Sequence, residues 1–176
     1  IYTVRTTVQD PSEEIEDYDS ETITVQANLE LTKSAGRNYA ISDNGADSSV
    51  LGCHCHVISH TGRFAYLIGY DPHTTRSDKI PIVSAYLKVK SQTRIPIVLK
   101  IHEAPYNATS PVTLMSEYQV RDYGIIIDSI SKHHKTISGD YGTQHMVITA
   151  DVYVPFVNRG ALMGFEILPW EEGDED

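Results

Sequence analysis

The stretch Ala40-Ile41-Ser42-Asp43-Asn44-Gly45-Ala46-Asp47-Ser48-Ser49-Val50-Leu51-Gly52 sets a carboxylate and a glycine turn between apolar residues of strand type. A surface turn needs no such framing, whereas an acid held at the end of a buried strand does. In Asp43-Asn44-Gly45 the glycine lets the backbone turn tightly and lets another backbone come close, and Asn44 can brace the loop by hydrogen bonding. Two such carboxylates facing one another do not both ionise cheaply. One keeps a proton while the other polarises a water, an arrangement that activates water with neither a covalent intermediate nor a metal. Chemistry of that kind favours mildly acidic pH.

The motif must then be counted. Asp122-Tyr123-Gly124 and Asp140-Tyr141-Gly142 repeat the spacing, but the first closes an expected helix and the second follows a polar Ser-Gly turn. Neither is fed by an apolar strand. With one suitable motif per chain, a carboxylate pair requires a homodimer with two-fold symmetry. Asp47, just past the glycine, suits support of the loop or contact with a substrate backbone, and Asp128 suits a bond across the body of the fold.

Other constellations are weaker. Gly52-Cys53-His54-Cys55-His56, with His60 nearby, offers ligand types that zinc accepts, but C-x-C is shorter than the usual spacing and there is no second cysteine pair. In an extended segment Cys53 and Cys55 would share one face and His54 and His56 the other. The expectation is buried thiols beside exposed imidazoles, with no metal and no cofactor. His133, His134 and His145 read as surface residues, and Asn107-Ala108-Thr109 as a loop. The sequence contains no Gly-x-Ser-x-Gly, His-Glu-x-x-His or Gly-x-x-x-x-Gly-Lys.

The elements that must position Asp43 are mostly strands. Runs at 22–31, 37–42, 63–70, 80–90, 94–103, 124–130, 144–154 and 161–168 are rich in Ile, Val, Tyr and Thr and are separated by turn material. Such spacing predicts an all-β barrel or sandwich. One stretch differs: Ser116 and Gln119 have capping-box spacing and Gly124 suits a helix end, which predicts a short helix over 117–123. The chain has 176 residues, enough for one domain with a sizeable core. No run approaches the roughly 20 apolar residues of a membrane span. The start at Ile1, without a signal-peptide pattern, fits a segment cut from a longer polypeptide. Of the net charge of −10, residues 1–36 hold −6 and the last six residues −5, leaving about +1 between them. Both ends are expected to be solvated. No basic stripe is present to neutralise phosphates, so nucleic acid is not an expected partner. Two closely spaced cysteines point to a reducing compartment rather than a disulfide scaffold.

The loop around Asp43 resembles the Asp-(Ser/Thr)-Gly-Ala-Asp loop of retropepsins, the aspartic proteases of retroviruses and retrotransposons. The segment VLKIHEAPYNATSPVTLMSEYQVRDYG, together with GRFAYLIGYD and GTQHMVI, is similar to the protease region of copia-type retrotransposon polyproteins. The resemblance covers roughly residues 37–148. It implies a retropepsin-like closed β-barrel with one short helix in its C-terminal half, forming a two-fold homodimer. It also implies an acidic extension at 1–36 and a strand region with an acidic tail at 149–176. Asp43 would be the catalytic aspartate, in an active-site loop of Asn44, Gly45, Ala46 and Asp47. A flap at 69–80 would cover substrate with Gly69, Tyr70 and Asp71, and Leu114-Met115-Ser116 would thread behind the loop. The implied activity is endoproteolytic processing of the element's own gag-pol polyprotein, bound as an extended peptide, in the cytoplasm or within virus-like particles. The chain departs from the pattern at Asn44, where Ser or Thr is usual, and in the flap, which has Pro72 and no glycine at its tip. Two alternatives follow: a catalytically inactive dimerisation or binding module, and a precursor form whose dimer edge is blocked by its N-terminal segment or acidic tail.

Overall fold

The computed structural model describes residues 2–5, 22–26, 38–68, 77–132 and 142–175. These are mostly strand with one short helix: β1 (Tyr2–Arg5), β2 (Thr22–Gln26), β3 (Tyr39–Asp43), β4 (His56–Ile68), β5 (Ile80–Lys90), β6 (Pro96–Pro105), β7 (Val112–Ser116), α1 (Glu117–Asp122), β8 (Ile126–Asp128), β9 (His145–Thr149), β10 (Val152–Pro155) and β11 (Gly164–Glu166). The β-branched and aromatic runs become strands because their side chains fit a pleated, half-buried surface.

Among the described residues three sheets result, in the orders β1-β6-β5-β4-β2, β10-β9-β8 and β11-β3-β7, and these do not close into the expected barrel. In the five-stranded sheet, β1 and β2 pair in parallel with β6 and β4 and so occupy its two edges rather than joining one another. Two stretches of the acidic N-terminal region thus belong to this sheet.

Strand β3 is buried on both faces, because its side chains alternate between two apolar clusters. Tyr39 and Ile41 join Val112, Leu114, Leu67 and Ile82, whereas Ala40 joins Met115, Val120 and the Val83, Ala85, Leu87 and Val89 row of β5. β11 packs closely on its other side. A Cβ at Gly164 would stand 1.9 Å from the Ala40 carbonyl oxygen, so only glycine allows that approach.

The sequence-predicted helix is present, one residue shorter than expected. Ser116 caps it by accepting the Gln119 N–H at 3.3 Å, and Gly124 follows with φ 84°. The reciprocal half of the capping box is not made, since the Gln119 side chain bonds elsewhere.

The C-terminal acids are not all solvated. The Leu168 N–H donates to the Lys88 carbonyl at 2.7 Å, Trp170 stacks on His56 with centroids 4.5 Å apart, and Lys88 Nζ lies 2.8 Å from Asp174 and 3.1 Å from Glu171. No helix among the described residues is long and apolar enough to cross a membrane.

Candidate active site

Asp43 is the last residue of β3, and β7 threads between it and the chain that follows it. Ile41, Ser42 and Asp43 pair in parallel with Leu114, Met115 and Ser116. Val50 then pairs with Leu114 in the antiparallel sense, through bonds of 2.8 and 2.9 Å. The loop 44–49 therefore leaves one side of β7 and returns on the other. Its return requires Gly52, where a Cβ would lie 2.3 Å from the Val112 carbonyl oxygen. The apolar residues on either side of Asp43 are there because both limbs of this loop are buried, one as β3 and the other as residues 50–51 bridged to Leu114 and Tyr106.

Two side chains at the start of α1 hold the loop itself. Ser116 Oγ donates to the Ala46 carbonyl at 2.7 Å, and the Ser116 N–H donates to Ser49 Oγ at 3.0 Å. Gln119 Oε1 accepts the Ser49 N–H at 2.8 Å while its Nε2 donates to Ser48 Oγ at 3.2 Å. All five residues are buried, where an unpaired polar group is costly, so this network fixes the loop backbone.

Within that frame Asp43 is 7% exposed. Its Oδ1 accepts the Gly45 N–H at 2.8 Å. Its Oδ2 is buried and has no hydrogen-bond partner among the described residues. A buried oxygen of this kind normally has a donor, and the described residues supply none to Oδ2. Asn44, Gly45 and Asp47 are exposed, and Ala46 is buried. Gly45 does not adopt a positive φ, and a Cβ there would touch only Asp43 Oδ1, at 3.4 Å. The loop's own conformation thus does not demand glycine.

A buried carboxylate lies behind the strand. Glu117, the first residue of α1, is 2% exposed. Its Oε1 accepts the Ser42 hydroxyl at 2.6 Å, and its Oε2 accepts the Ser129 hydroxyl at 2.8 Å and pairs with Arg121 at 2.7 Å. Sequence reasoning missed Glu117, Ser48 and Ser49, because nothing in their types marks them as buried, and missed Ser42, whose partner is distant in the chain.

The remaining candidates that the structure describes are dispersed. Gly69, Tyr70, Asp71, His133, His134 and Asp140 lie outside the described residues. The strands flanking the flap segment pair antiparallel, with Ala65 opposite Ile80. Residues 52–55 form a turn rather than an extended segment, so Cys53 and Cys55 do not share a face. Cys53 is exposed and Cys55 buried. Burial pushes the Cys55 thiol up to about 12, with Thr113 at 3.4 Å as its hydrogen-bond partner. No group of three or more His, Cys, Asp or Glu with metal-holding geometry occurs among the described residues. Asp122 is exposed at the end of α1. Asp128 accepts both the N–H and the hydroxyl of Thr143. Burial opposes its ionisation, but these bonds hold its carboxyl below the usual range. A cavity of about 200 Å³ bordered by Lys90, Arg94, Val157 and Phe165 shares no residue with the 43–49 loop.

Comparison of the chain with protein-family models, with curated proteins and with solved structures returned no match.

Proposed function

We propose that the protein is an aspartic endopeptidase of the retropepsin type, from a copia-like retrotransposon polyprotein, active as a two-fold homodimer. The observation that carries this reading is the state of Asp43. One carboxylate oxygen is fixed by the loop, and the other is buried without a donor among the described residues. A second Asp43 across a two-fold axis would complete the pair. One carboxyl would hold a proton and hydrogen-bond to the scissile carbonyl, and the other would take a proton from the attacking water. Gly45, exposed and free of conformational demand, would give the substrate or partner backbone room to approach. The interlock of β3, β7 and residues 50–51 supports kinship with retropepsins through the active-site loop, in sheets that remain open. The acidic dyad needs no cofactor, and the substrate would be an extended segment of the polyprotein.

A second reading is a dimerisation module without catalysis. The exposed side chain of Asn44 favours it, because that residue stands where a hydroxyl would brace two loops across the axis. Cleavage of a polyprotein segment, read by mass spectrometry between pH 4 and 7, separates the two. Cleavage by the wild type that disappears in Asp43→Asn supports the protease. Dimers that leave every peptide bond intact support the module.

A further inference from the structure

A carboxylate as buried as that of Glu117 carries a large desolvation cost, which only good geometry and several donors offset. A residue that merely filled this position could be apolar, as Val120 is one turn along the same helix. Glu117 instead reaches two other elements. Through Oε1 it takes the hydroxyl of Ser42, the residue before Asp43 in β3. Through Oε2 it takes that of Ser129, just beyond β8, and the guanidinium of Arg121, which also donates to the Ile127 carbonyl at 3.2 Å. The side chains of β3 alternate, so Ser42 faces the α1 side with Ala40, while Asp43 faces the side of Ile41. A grip on Ser42 is therefore a grip on the strand end that aims Asp43, applied from the face opposite the chemistry.

We propose that Glu117 is a positioning residue for Asp43, acting through the Ser42 hydroxyl. The strand end has few other anchors. The Ser42 N–H donates to the Met163 carbonyl at 2.8 Å and the backbone pairs with β7; both act on the backbone and leave the Ser42 side chain to be restrained from elsewhere. The charge-assisted bond to Glu117, stronger than a neutral one, supplies that restraint and ties it to the helix whose Ser116 and Gln119 hold the loop. Strand end and loop then move as one unit with α1. The catalytic consequence rests on the protease reading, but the coupling itself does not.

The bond from the Gly45 N–H to Asp43 Oδ1 is the local reporter. Amide hydrogen exchange by NMR on the intact chain compares wild type with Ser42→Ala, Ser42→Thr and Glu117→Gln. Ser42→Ala leaves Glu117 held by Arg121 and Ser129, so the fold is kept. The expected result is exchange at Gly45 faster by roughly tenfold in Ser42→Ala and Glu117→Gln, with protection in α1 and β7 retained and the effect reversed in Ser42→Thr. Unchanged exchange at Gly45 overturns the proposal. Acceleration spread evenly over α1, β7 and β8 overturns it as well, since that marks Glu117 as a general staple. In the same variants kcat for peptide cleavage should fall while KM holds. If the wild type cleaves nothing, the protease reading fails, yet the exchange at Gly45 still decides the coupling.

Discussion

At the scale of single residues, three glycines near the candidate site serve different physical ends. Gly52 and Gly164 are required by their own chain, since a methyl group at either would collide with backbone of a neighbouring strand. Gly45 has no such constraint. Its φ is not positive, and a methyl group would meet only Asp43 Oδ1 at the edge of ordinary contact. Gly45→Ala should therefore leave stability within about 0.5 kcal/mol of wild type, as exposed substitutions usually do. In the proposed protease, peptide cleavage should nevertheless drop on the order of 100-fold, because a methyl group between Asp43 and an incoming backbone displaces the reacting atoms. Thermal unfolding and cleavage rates on the same preparation check both halves. Equal losses of stability and activity would mean that the glycine serves the fold and not the approach of another chain.

At the scale of elements, the junction of β7 and α1 does the most. Ser116 ends the strand paired with Asp43, caps the helix, and bonds to loop residues Ala46 and Ser49. Ser116→Ala leaves the Ala46 carbonyl without that hydroxyl and removes the cap from Gln119. A cap and a buried hydrogen bond together are worth about 2 kcal/mol. The melting temperature should fall by roughly 4–8 °C for a chain of this size, and an unshifted melting curve would show that the loop is held by other contacts. Much of this junction was legible in the sequence. Ser116, Gln119 and Gly124 have offsets that only a helix start and stop explain, and Asp43-Asn44-Gly45 stands out between apolar strands. Ser42 and Glu117 were not legible. They are ordinary surface types, and what sets them apart is a contact between residues 75 apart in the chain. Alternation misled at Cys53 and Cys55, because it holds only in extended backbone and residues 52–55 turn. The described sheets depart from the expected barrel for a similar reason. Strand spacing counts strands without specifying their neighbours, and here β1 and β2 end the sheet at opposite edges.

At the scale of the whole molecule, the proposed dimer must form against its own charge. Each chain carries −10 at neutral pH, concentrated in residues 1–36 and 171–176. Lys88 compensates part of the C-terminal acid by pairing with Glu171 and Asp174, but Glu172 and Glu175 remain exposed. Two such chains repel over distances comparable to the screening length, which shrinks from about 10 Å at 0.1 M salt to about 3 Å at 1 M. Bringing two Asp43 carboxyl groups together opposes association further, and a proton shared between them relieves it. Both terms have the same sign: added salt screens the first and mild acid relieves the second. Sedimentation velocity at micromolar protein should thus show the dimer fraction rising between 0.1 and 1 M salt at pH 7, and rising again at pH 5. Asp43→Asn removes the second term only, so its dimer fraction should respond to salt as the wild type does and lose much of its response to pH. A sedimentation coefficient that ignores both salt and pH would mean that neither the acidic ends nor the paired aspartates lie at the interface, and the two-fold arrangement around Asp43 would have to be abandoned.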